Sequence, residues 1–120
     1  MVRRGPENIQ LKNLVVFLER AAAKNKAPIW RKSAFLLAKP TRKRVEVNLF
    51  DLEKNSREGD VVLIPGKLLS EGEIKHKITV AAWRVSKAAA AKLEKAGCKL
   101  ESINKLVEKN AKGKGVKLLV

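Results

Sequence analysis

Four consecutive apolar residues, Val61, Val62, Leu63 and Ile64, closed by Pro65 and Gly66, constrain this chain more than any other stretch. A strand with one face in water alternates apolar and polar residues, whereas an unbroken run implies a strand covered on both faces. A second strand pattern follows at residues 78–85. Next comes a helix pattern, with Ser86 as cap, Ala89, Leu93 and Ala96 on the inner side, and Gly97 as a left-handed terminator. A short strand at 98–100 and a last helix, capped by Ser102 and carrying Ile103, Leu106 and Val107, complete the pattern. Strand, helix, strand, helix implies a parallel α/β unit.

The first half reads as helical. Asn8 is a good N-cap, and Leu11, Leu14, Val15, Leu18 and Ala22 fall on one face of the helix that would follow. Pro28 suits the first turn of a second helix through Trp30, Ala34 and Leu37, which must end before Pro40 because a proline ring disfavours helical geometry in the residue before it. From Val45, the alternation of Val45, Val47 and Leu49 with Glu46, Asn48 and Phe50 predicts a half-buried strand. We expect one domain, since single cores occupy about 100 to 150 residues. It divides into a basic helical region with a loop at 1–44, an α/β core at 45–110, and a basic Gly/Lys tail at 111–120.

Charge decides the class of partner. Lys and Arg number 27 against 12 Asp and Glu, a net of +15. Such a surface repels itself unless an anion neutralises it, and nucleic acid is the usual anion, because each phosphate contact releases condensed counterions. The net is +9 over residues 1–50, zero over 51–85 and +6 over 86–120. That distribution reads either as a neutral core between two RNA-facing arms or simply as a set of buried strands. No stretch approaches the roughly 18 apolar residues of a spanning helix, and the N-terminus has no signal-peptide core. A lone cysteine, Cys98, forms no internal disulfide and fits a reducing compartment, so cytoplasmic residence is expected. Beside Gly97 it reads as a small buried residue.

The densest cation run is Lys39, Arg42, Lys43 and Arg44, on a loop opened by Pro40 and anchored by the strand from Val45. Arg presents a planar fork to phosphate oxygens and Lys a mobile point charge, a mixture suited to a folded RNA backbone. Arg3 and Arg4 form a basic N-terminal extension. Lys112, Lys114 and Lys117, spaced by Gly113 and Gly115, form a C-terminal one; both ends read either as segments that order only on RNA or as flexible solubilising ends. The Gly113 to Gly115 spacing lacks the Ser or Thr and the strand-to-helix turn of a nucleotide-binding loop. Lys67, and Lys75 and Lys77 around His76, add further candidates. Trp30 beside Arg31 and Lys32 admits base stacking, although packing in the core or at its rim is the first expectation, and with five aromatics and no tyrosine a stacking platform is poorly supported.

For catalysis, His76 is the single histidine and Cys98 the single cysteine, leaving one Cys-His pair with neither metal spacing nor a nucleophile motif around it. We expect no catalytic site, metal or cofactor. An RNA-modifying enzyme or a free-standing RNA-binding or assembly factor are the rival readings.

Nearly the whole chain resembles the archaeal and eukaryotic large-subunit ribosomal protein family L-eighteen-e, sister of the L-fifteen family. The resemblance runs through Lys67, Leu68, Leu69, Ser70, Glu71 and Gly72, residues 78–85, and Ser86, Ala89, Leu93 and Gly97, and again through Pro40 and the run from Arg44 to Leu49. Thr41 and Asp51 depart from the family's basic positions. The resemblance implies a single three-layer α/β domain of irregular β-β-α superhelical turns with a basic N-terminal helical extension. It also implies a structural role in the large ribosomal subunit, bound to its ribosomal RNA, with neighbouring subunit proteins that include the L-four family. The short length resembles the archaeal form.

Overall fold

The computed structural model describes residues 6–39 and 45–120 of the chain, so Arg3, Arg4, Arg42, Lys43 and Arg44 lie outside the described residues. Ten elements follow in order: α1 (Pro6–Asn25), α2 (Pro28–Leu37), β1 (Val45–Asn48), α3 (Leu49–Asn55), β2 (Val61–Leu69), β3 (Thr79–Val85), α4 (Lys87–Lys95), β4 (Lys99–Glu101), α5 (Ile103–Lys109) and β5 (Val116–Leu118).

All five strands pair in parallel, in the order β1, β2, β3, β4, with β5 also on β2. Because β3 runs along one side of β2 from Val61 to Leu68, β1 and β5 share its other side. There β5 covers Val61, Val62 and Leu63, while β1 covers Gly66 to Leu69. The unbroken apolar run is covered on both faces, as its composition requires. Leu63 and Ala81 face a core built with α1, α2 and α5, while Val62, Ile64, Val80 and Ala82 face a second core built with α3 and α4. Helices, sheet and helices thus make three layers, and each fully buried Leu, Ile or Val contributes about 1.5–3 kcal/mol.

Three local expectations change. The strand does not stop at Pro65 and Gly66. It continues to Leu69, because Pro65 falls in the gap between β5 and β1, where no partner needs its missing N–H, and at a register shift against β3 between Ile64 and Lys67. At Gly66 the approach of β1 excludes any side chain, since a Cβ would lie 2.1 Å from the Val45 carbonyl oxygen. Second, the strand from Val45 ends at Asn48, where Asp51 accepts the Asn48 N–H at 3.2 Å and starts the short helix α3. Third, residues 116–118 are strand β5, not a segment awaiting a partner. Leu119 donates its N–H to Leu63 at 2.9 Å, and Val116 and Leu118 pack on the α1, α2 and α5 core.

Two serine caps follow the sequence: Ser86 and Ser102 accept from the N–H groups of Ala89 and Lys105, each at 3.2 Å, and Gly97 has φ +81°. Asn8 is not the cap expected of it, because α1 already begins at Pro6, a residue suited to a first turn, and Asn8 lies inside the helix.

Candidate nucleic-acid interface

Trp30, on the inner face of α2, is fully buried and donates its Nε1–H to the carbonyl of Ala111 at 2.7 Å. Its ring is therefore core and is not open to an RNA base. The same hydrogen bond, with Gly113 lying so close that a Cβ there would meet Ile29 Cγ2, ties the turn between α5 and β5 to the start of α2. Asn110 closes that turn, its side chain donating to the Lys114 carbonyl at 2.7 Å and accepting the Lys114 N–H at 3.2 Å. The structure thus brings the segment carrying Lys112 and Lys114 beside the helix carrying Arg31 and Lys32, with all four exposed.

The parallel sheet gathers a second group. The starts of β5, β2, β3 and β4 align as Val116, Val61, Thr79 and Lys99, so Lys77, Lys99 and Lys117 lie toward the same end of the sheet. Lys117 is committed to Asp60 at 2.9 Å. The Asp60 carboxyl is held below its ordinary value, first by the Arg57 N–H at 2.8 Å and then by Lys117. The stem of Lys77 lies over Gly97. At the opposite end of the sheet Lys67 stands exposed in register between Glu46 and Arg84. Lys75 is exposed in the loop before β3, where its N–H donates to Glu53 at 2.8 Å. The candidates therefore fall on several sides of the domain.

Composition alone does not single out Phe35 or Lys26. Phe35, 66% exposed, projects from the side of α2 opposite Trp30, Ala34 and Leu37, with Lys39 Nζ 5.4 Å from its ring centroid. Its position one residue off the apolar face is the signal that sequence offers. Lys26 joins α1 to α2 at φ +52°, a conformation that glycine adopts more cheaply, and with Arg31 it rims a shallow cavity of about 330 Å³ floored by Ala22, Ala27 and Pro28.

His76 does not pair with the Cys98 thiol, which is half-buried and lies 3.4 Å from the His76 backbone carbonyl. The ring instead links Glu53, 3.2 Å from Nδ1, to Ser56, 2.9 Å from Nε2. Sequence reasoning missed both partners, because nothing in it foretold α3. The set resembles an acid, base and nucleophile, but the polarity is reversed. Ser56 is buried and gives its one hydroxyl hydrogen to the Leu52 carbonyl, so it does not also donate to Nε2. A base that activates a nucleophile must accept there. This cluster braces α3 against the loop before β3.

Among the described residues no helix is long and apolar enough to cross a membrane, and no group of three His, Cys, Asp or Glu is placed to hold a metal. Fold and surface together define a class: a small, strongly basic, three-layer α/β protein whose described cations are spread over several sides of the domain. The chain belongs to the family described as "Ribosomal proteins 50S-L15, 50S-L18e, 60S-L27A", whose model matches residues 9–101. It is 46% identical over 116 residues to the large ribosomal subunit protein eL18 of Pyrobaculum aerophilum, covering 97% of this chain and 95% of that protein. It is similar also to the proteins of that name from Methanopyrus kandleri, 39% identical over 96% of this chain and 94% of the relative, and Methanococcus maripaludis, 42% identical over 93% of each.

Proposed function

We propose that this chain is a structural constituent of the large ribosomal subunit in the cytoplasm, where it binds ribosomal RNA and performs no catalysis. The observation that carries this reading is its near full-length similarity to proteins named as large-subunit constituents, and the net charge of +15 agrees with it. On this reading Arg3, Arg4 and the 39–44 loop, with Arg31, Lys32, Lys67, Lys75, Lys77, Lys112, Lys114 and Lys117, neutralise phosphates of adjoining RNA segments. The three-layer core carries those of them that the structure describes, Arg31, Lys32, Lys39, Lys67, Lys75, Lys77, Lys112, Lys114 and Lys117. The exposed Phe50, beside Asp51 and Glu71, is our candidate contact for a neighbouring subunit protein, with the L-four family as the candidate partner.

Filter binding to RNA extracted from large ribosomal subunits tests it. If six to ten phosphates are engaged, affinity falls by about a thousandfold or more between low and moderate salt, because the released counterions must be re-bound. A flat salt response overturns the proposal, as does failure of the tagged chain to sediment with large subunits.

A further inference from the structure

We infer that the outward side of α2 is a stacking site for one unpaired RNA nucleotide, whose base lies on the Phe35 ring while Arg31, Lys32 and Lys39 engage the flanking phosphates. This rests on the RNA-binding reading above and deepens it from phosphate contact to recognition of a nucleotide outside a duplex.

The helix has already used its core face. Trp30, Ser33, Ala34 and Leu37 are buried, whereas Phe35 stands 66% exposed and leaves most of a ring's burial energy unrealised. Arg31 lies one helical turn before Phe35 on the same side of α2, about 6 Å along the axis at 1.5 Å per residue, and Lys39, just past the end of α2, reaches back to the ring from the other side. Cation, ring, cation is the order that phosphate, base, phosphate demands. Lys39 Nζ, 5.4 Å from the ring centroid, adds a cation–π contact that a stacked base would share.

Charge selects the occupant. Residues 28–39 contain three cations and no carboxylate, and α2 carries no acid in its first turn, so an acidic polymer meets nothing there to repel it. The other exposed phenylalanine, Phe50, makes the contrast. It adjoins Asp51, donates its N–H to the Glu71 carbonyl at 2.9 Å, and crowds Gly72, so phosphates approaching it meet carboxylates. At the start of α2, Lys26 keeps its strained φ of +52° and forms no ion pair among the described residues, as expected where a lysine head group is needed more than a relaxed turn.

The test uses the full chain, RNA extracted from large ribosomal subunits, and filter binding at one fixed salt concentration and across a salt series. Phe35→Ala and Phe35→Leu should each weaken binding by about 5- to 150-fold, the loss of a base–aromatic stack, with an unchanged salt slope because no phosphate contact is removed. Phe35→Trp should bind within about twofold of the parent or more tightly, since it offers a larger ring. Arg31→Gln should lower the salt slope by about one. Circular dichroism checks α2, which an exposed side chain does not support. If the parent binds RNA steeply with salt but both Phe35→Ala and Phe35→Leu bind as it does, stacking is refuted and the RNA reading survives. Affinity kept by Leu and lost by Ala overturns stacking in favour of plain apolar cover. Loss of binding to ribosomal proteins alone would assign the ring to a protein neighbour. A parent chain that binds no RNA refutes both readings.

Discussion

Gly66→Ala perturbs the joint on which the basic segment before β1 depends. A Cβ at residue 66 would lie 2.1 Å from the Val45 carbonyl oxygen and 2.8 Å from Val45 C and Cβ, well inside van der Waals contact with backbone that no rotamer can relieve. Either β1 moves away from β2, or β2 moves away from β3 and both cores open. The first is cheaper. Separating β1 removes a ladder of four register pairs, worth a few kcal/mol at about 1 kcal/mol per net hydrogen bond. It also uncovers Val47, 2% exposed, at a further cost of about 1.5–3 kcal/mol. Partial adjustment keeps part of this, so we expect a loss of about 3–5 kcal/mol, a large share of the roughly 5–15 kcal/mol that stabilises a domain. Gly59→Ala is the matched control: its φ is +87° but nothing lies within 4 Å of the added carbon, so only the left-handed strain of about 1–2 kcal/mol is incurred. Urea denaturation of both variants decides the matter. A Gly66→Ala chain that loses less stability than Gly59→Ala would refute the close approach of β1 and the argument built on it.

Two other outcomes follow from single contacts. Trp30→Phe keeps most of the buried ring but deprives the Ala111 carbonyl of its donor, so we expect a loss of about 1–3 kcal/mol and faster amide exchange across β5, read by denaturation and hydrogen exchange. Asp60 contributes stability as a carboxylate: its folded value lies below the ordinary 3.8, so its contribution is present above that value and disappears as pH falls through the lowered one. Asp60→Asn should therefore be less stable than the parent at neutral pH, with the difference closing below about pH 4. A gap that persists unchanged at pH 2 would refute the carboxylate's role.

How much was legible follows the range of the interactions involved. The caps at Ser86 and Ser102 and the left-handed Gly97 depend on neighbours three or four residues away, and sequence supplies these directly. Continuous apolar strands reveal that two faces are covered, because burial needs no knowledge of which helix covers which face. Pro65 and Gly66 misled for the opposite reason: local chemistry says stop, while the gap between β5 and β1 makes a proline harmless and the approach of Val45 makes a glycine necessary. The α3 start was hidden because Leu49 and Phe50 extend a period of two, and only the Asp51 carboxylate turning back to the Asn48 N–H decides for helix. Candidate cations were legible as residue types, but their grouping was not. Nothing in the sequence places the turn at 111–113 against Trp30, or pairs Lys117 with Asp60.

That last pairing changes the energetic standing of the C-terminal cations. A tail that must be ordered on binding sacrifices part of each phosphate contact to lost conformational freedom. Here the turn from Asn110 to Lys114 is closed by its own side-chain hydrogen bonds, Trp30 holds Ala111, and β5 lies in the sheet, so much of that ordering precedes any encounter. The strand that anchors β5 is also the one that anchors β1, into which the 39–44 segment leads. On the RNA-binding reading proposed above, Lys112, Lys114 and Lys117 therefore meet phosphates with their backbone already ordered. A chain of net charge +15 can thus keep a compact core although few of its described cations are paired, as Lys117 is with Asp60 and Lys109 with Glu101, provided its cations stay at the rim while the buried residues of β2 and β3 remain apolar at the centre.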